Sequence, residues 1–197
     1  MITAHGTDVP AEFRTALESA SARRVRPEVS LQEVPAPRRI APYSFALTGE
    51  VAGARTDDGE LASGRFVVLH DPDGQEAWHG RFRVVTLVRA TLEPELAAED
   101  MLAEVAWTWL ADAMRDTGAR AHAEGGTVTR VLSQSFGAIA GRADDVELEI
   151  RASWTPASAD LGPHLGAWAQ LLCTAAGLPP LPDGVAALPL RRNTVEP

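Results

Sequence analysis

A chain of 197 residues, 45% of them hydrophobic and 23% charged, is long and apolar enough to bury one substantial core. Its formal net charge of −9 argues against nucleic acid or an anionic membrane surface as the main partner, because both reward clustered positive charge. Cys173 is the single cysteine, which excludes an internal disulfide, and no apolar run approaches the roughly 18 residues of a spanning segment, so a soluble cytoplasmic protein is expected.

Residues 1–8 read as a flexible tail, residues 9–180 as a single α+β domain and residues 181–197 as an irregular proline-rich tail. Val9 to Arg24 has Phe13, Ala16, Leu17 and Ala20 along one side, the spacing of a short helix that Pro27 ends. Glu28 to Val34 fits an edge strand before the stiff Pro35-Ala36-Pro37 segment. From Tyr43 to Ala52 apolar and polar residues alternate with the period of a half-buried strand.

Arg65 to Leu92 reads as one long hairpin. Asp71-Pro72-Asp73-Gly74 has the residue order of a type I turn closed by a glycine bulge. Pairing Asp71 with Gln75 then sets His70 opposite Glu76, Val68 opposite Trp78 and Phe66 over Gly80. Trp78, Phe82, Val84 and Val88 should face the core, while His79, Arg81, Arg83 and Arg89 face away.

Glu95 to Thr117 has the pattern of the main helix, with Pro94 in its first turn and Gly118 as its cap. Trp107 and Trp109 fall on opposite flanks of its apolar arc. Gly125-Gly126-Thr127 reads as a turn into a strand from Thr127 to Phe136, and Val146 to Trp154 alternates strictly as the next strand. Leu161, Leu165, Trp168 and Leu172 mark a last helix that Gly177 stops. The expected order is α-β-β-β-α-β-β-α, a two-layer α+β fold in which helices pack on an antiparallel sheet of five or six strands.

No convergent catalytic set emerges. His70, Glu76 and His79 cluster near the hairpin turn, but two faces of a hairpin cannot supply the three or four converging ligands of a metal site, so neither a metal nor a cofactor is expected. Ser133 and Ser135 lack a base, and Cys173 and His164 lie half a turn out of phase on one helix. Arg38 and Arg39 extend a basic concentration with Arg23, Arg24 and Arg26, which reads as a solvated N-terminal arm or as a site for an acidic partner or a phosphate ligand.

Five segments together resemble an uncharacterised actinobacterial family known only as a domain of unknown function: Glu33 to Tyr43 (EVPAPRRIAPY), Leu69 to Trp78 (LHDPDGQEAW), Gly125 to Thr129 (GGTVT), Glu149 to Pro156 (EIRASWTP) and Leu161 to Leu165 (LGPHL). The resemblance implies no activity, cofactor or catalytic residue. The element order is also similar to that of small bacterial type III secretion chaperones, which implies a binding role by topology alone. The leading expectation is therefore a non-enzymatic protein-binding or chaperone-like domain with a protein partner or a homodimer, with Trp107 and Trp109 as anchors. The alternative is a small-ligand protein or enzyme with a pocket between sheet and helices, where His70, Glu76 and His79 would be tested first.

Overall fold

The computed structural model describes residues 9–37, 39–53, 60–92, 100–141 and 145–179. Their elements are α1 (Ala11–Ala22), β1 (Val29–Val34), β2 (Tyr43–Ala52), β3 (Glu60–Gln75), β4 (Gly80–Leu92), α2 (Leu102–Thr117), β5 (Ala121–Ser133), β6 (Asp145–Pro156) and α3 (Gly162–Ala175). The six strands form one sheet in the order β1-β2-β3-β4-β6-β5, with every neighbouring pair antiparallel. The expected α+β class and element order hold. The predicted start of the main helix, Glu95, lies outside the described residues, and so do both tails.

One face of the sheet carries the core. The rows Tyr43-His70-Phe82, Phe45-Val68-Val84-Trp154 and Leu47-Phe66-Thr86-Ala152 run across the strands beneath the helices. Helix α3 is buried on nearly every side, as a helix apolar all round must be, with α1 and α2 flanking it. Its Trp168 ring sits over Gly49 and Gly64 on adjacent strands, where an added Cβ would come within 2.6 Å and 3.2 Å of the indole. The two glycines are thus a socket for one tryptophan. The indole N–H donates to the Leu87 carbonyl at 3.2 Å, which satisfies the buried polar atom.

The hairpin register differs from the expected one. His70 lies opposite Phe82, Val68 opposite Val84 and Phe66 opposite Thr86, so Val84 stands where Trp78 was expected, a shift of six residues (84 − 78). The turn chemistry at Asp71 to Gly74 is present, with the Asp73 N–H donating to Asp71 Oδ1 at 3.1 Å and Gly74 at φ 77. It makes a bulge inside the strand pair, and the chain reverses later, at a 3-10 turn over Glu76–Trp78 that ends on His79 at φ 54. Trp78 consequently turns to the other face, where it covers Ala46, Val67 and Leu69. Gly125 and Gly126 are also strand residues, opposite Ser153 and Ala152, so the expected turn there is replaced by a bulge at Ala123 and Glu124.

Candidate functional site

Only α1, α2 and α3 cover the sheet among the described residues, and all three join the core on the same side. Beyond the cluster beneath Trp78, the opposite face is uncovered among the described residues. Its cross-strand rows are Ala46-Val67-Val85-Ser153-Gly125, Thr48-Arg65-Leu87-Arg151-Thr127 and Glu50-Ser63-Arg89-Glu149-Thr129. An antiparallel sheet with one solvated face should present polar residues there, yet the first two rows place Val67, Val85 and Leu87 side by side. Val85 is 39% exposed. These side chains floor a trough of about 300 Å³ bordered by Arg65, Arg151, Gly125 and Thr127.

Arginines frame that floor in different states of engagement. Arg83 donates to Ser153 Oγ at 2.7 Å, to Thr155 Oγ1 at 3.1 Å and to the Ala123 carbonyl at 2.9 Å, so it fastens the β5 bulge to β4 and β6. Arg89 and Arg151 both hold Glu149, at 2.8 Å and 2.6 Å, and the Arg89 bond leads the effects that keep the Glu149 carboxyl below its ordinary range. Among the described residues Arg65 donates to a neutral acceptor, the Pro35 carbonyl at 3.0 Å, and no carboxylate pairs with it. Its charge stands at the mouth of the trough.

The residues singled out from the sequence do not converge. His70 is fully buried and stacks on Phe82 at 4.3 Å and on Phe13 at 5.6 Å. Its Nδ1–H donates to the Arg81 carbonyl at 3.1 Å, the tautomer that a carbonyl acceptor requires. Burial pushes its pKa down, so the ring is a neutral core group. Glu76 is exposed on the 3-10 turn and does not pair with His70, contrary to the expected cross-strand contact. His79 is exposed, and its carbonyl accepts from His122 Nε2 at 3.1 Å. Trp107 and Trp109 are both half-buried against the core, with Trp107 lying over Gly126. Arg39 is exposed at φ 72, Arg38 lies outside the described residues, and Arg26 is committed to Glu28 and to the Pro179 carbonyl. No three His, Cys, Asp or Glu side chains gather as metal ligands among the described residues.

The trough was not singled out from the sequence, although a signal for it exists. In the run from Arg81 to Arg89 the outward positions read Arg, Arg, Val, Leu, Arg, so Val85 and Leu87 interrupt a polar face. A second cavity of about 560 Å³ opens between α1 and the β1–β2 connection, lined by Phe13, Leu17, Val34, Pro42, Tyr43 and Phe45 among others.

A family profile described as "Protein of unknown function (DUF3000)" matches residues 9–186, almost the whole chain. The chain belongs to the DUF3000 family. This bears out the resemblance to an uncharacterised family, and the match runs through every element that builds the trough. No curated protein and no solved structure matches the DUF3000 chain. No helix among the described residues is long and apolar enough to cross a membrane.

Proposed function

We propose that this DUF3000 chain is a non-enzymatic, cytoplasmic binding domain that receives a protein segment on the open face of its sheet. The observation that carries the reading is the apolar pair of exposed Val85 and half-buried Leu87 beside buried Val67, left uncovered by helices and framed by Arg65 and Arg151. Apolar side chains of the segment would cover the stripe, and its acidic groups would meet Arg65. The residues that could have supported catalysis, His70, Glu76 and His79, occupy a buried stack, an exposed turn and an exposed cap, which favours binding over reaction.

A photo-crosslinking amino acid in place of Val85, expressed in the native host, tests this reading. A discrete protein adduct is expected that disappears when Arg65→Glu is added, while the same probe at exposed Arg115 on α2 gives none. An adduct indifferent to Arg65→Glu, or no adduct at all, would refute it.

A second reading is small-ligand binding in the cavity beside α1. Two of its lining residues, Phe13 and Tyr43, pack on His70 at 5.6 Å and 6.0 Å, and His70 Nε2 is buried without a hydrogen-bond partner. Native mass spectrometry of the purified chain, with Leu17→Trp to fill the cavity, separates the two. A co-purifying small molecule lost in Leu17→Trp supports the second reading.

A further inference from the structure

We infer that β5 is a self-pairing edge, at which two copies of this chain join antiparallel about a two-fold axis through Thr127. The two edges of the sheet are built differently. Strand β1 has six residues and runs into Pro35 and Pro37, the short and proline-terminated form that blocks further pairing. Strand β5 has thirteen residues, pairs only with β6 among the described residues, and keeps an unbroken register from Gly125 opposite Ser153 to Ser133 opposite Asp145. It contains no proline, and only Ala121 and Val128 in it are even half-buried. Its regular part offers a row of backbone donors and acceptors about 30 Å long.

The ends of this edge complement one another. At the C-terminal end Val131, Leu132, Phe136 and Ile139 are 46%, 58%, 75% and 48% exposed. Leu132 lies opposite buried Val146 and so projects on the helix side of the sheet. At the N-terminal end, on that same side, an apolar groove of about 470 Å³ runs between α2 and the start of β5, lined by Trp107, Leu110, Met114, Ala119 and Ala121. Antiparallel pairing of two identical strands sets the C-terminal end of each beside the N-terminal end of the other. Leu132 of each copy, on the helix side, then meets the groove of the other, the self-complementarity that a two-fold interface requires.

Charge agrees with this register. Centred on Thr127, the pair sets Arg130 of each copy opposite Glu124 of the other (127 + 127 = 130 + 124), whereas a register centred on residue 130 would oppose the two arginines. The same register completes the open face. Gly125 gives the trough no side-chain wall at that point of its β5 side, and Thr127 of the second copy falls beside Thr127 of the first. The inference stands on the edge and the groove, independently of what the trough receives.

Sedimentation equilibrium and a cysteine series test it. The chain should sediment at twice its mass of 21.0 kDa. Thr127→Cys should oxidise to a covalent dimer, because directly opposite Cβ atoms lie about 4.5–5.5 Å apart. Thr129→Cys should not, since its two copies would be offset by four residues, about 14 Å along the strands. Cys173 is buried and adds no background. Leu132→Glu combined with Phe136→Asp alters exposed positions only, so circular dichroism should be unchanged while self-association weakens roughly tenfold or more. A monomer at every concentration, a dimer indifferent to the double variant, or crosslinking at position 129 in place of 127 would each overturn the inference.

Discussion

The Ser19 hydroxyl on α1 accepts hydrogen bonds from the backbone N–H groups of Leu161 at 2.7 Å and Gly162 at 3.1 Å, so one helix caps another from 142 residues away. Helix α3 has no capping side chain of its own at Leu161, and its first N–H groups would otherwise be orphaned beside the core. Ser19→Ala should cost about 1 kcal/mol in urea unfolding. Hydrogen exchange in the first turn of α3 should accelerate as well. Unchanged exchange there would show that water replaces the cap.

The Trp168 socket gives a larger effect. Trp168→Ala empties the space between α3 and the Gly49-Gly64 pair, and truncating a fully buried tryptophan should cost about 3–5 kcal/mol. Gly49→Ala attacks the same contact from the sheet, because its Cβ would lie 2.6 Å from the indole. The two changes should be strongly non-additive, since removing the indole makes room for the methyl group. A double-mutant cycle by denaturant titration checks this, and strict additivity would contradict the socket.

Acid sensitivity should come from His164. Its Nδ1 accepts from the Trp154 indole N–H at 3.0 Å inside the core, and burial lowers its pKa from 6.5 to about 4. Above pH 6.5 both folded and unfolded states are neutral, and the stability is fully present. Below it the unfolded chain takes up a proton that the folded chain refuses, so stability falls with pH until the folded pKa near 4 is reached. The loss over that window is of order 3 kcal/mol, and buried His70, shifted in the same direction, adds to it. His164→Gln keeps an acceptor for Trp154 and removes the titration. Its unfolding free energy should vary less between pH 7 and pH 5 than that of the parent chain.

The hairpin shows how the core could be read while its register was not. The expected and observed pairings differ by six residues, an even number, so Phe66, Val68, Phe82, Val84 and Val88 keep their faces in both. Alternation reports the face, and it is blind to an even slip. Asp71 to Gly74 supplied a local turn signal strong enough to attract the reversal, but the observed register gives His70 the Phe82 ring as its cross-strand neighbour and lets Trp78 cover Val67 and Leu69. Those contacts are tertiary, and no local pattern encodes them. The trough was hidden for a related reason: Val85, Arg65 and Arg151 come from three strands and meet only through the strand order, which places β6 between β4 and β5. His70 and His79 drew attention as titratable groups, although ring stacking uses the first as an aromatic.

Arg83 should be intolerant of lysine. Its three hydrogen bonds diverge to Ser153, Thr155 and the carbonyl of Ala123, a residue held at φ 52 in the β5 bulge. An ammonium cannot span those acceptors as a planar fork does. Arg83→Lys should cost about 1–3 kcal/mol and loosen residues 121–125. Exchange rates across β5, measured beside those of β2 as an internal control, decide it. A uniform change in both strands would mean that the bulge is not what Arg83 holds.

Trp107 and Trp109 separate by neighbour, not by burial. Both are half-buried against the core from opposite flanks of α2, and Trp107 covers Gly126, where a Cβ would lie 2.7 Å from its ring. Each truncation to alanine should therefore cost about 1–3 kcal/mol, less than for a fully enclosed ring. The local consequences should differ. Trp107→Ala uncovers the middle of β5 and should speed exchange of the amides from Gly125 to Thr129, while Trp109→Ala should leave them at the parent rate after correction for global stability. The double variant should lose close to the sum of the two, because neither ring fills the space of the other. If Trp109→Ala opened β5 as much as Trp107→Ala does, α2 would be bracing the edge strand as a rigid unit, and the specific contact between Trp107 and Gly126 would not be what holds it.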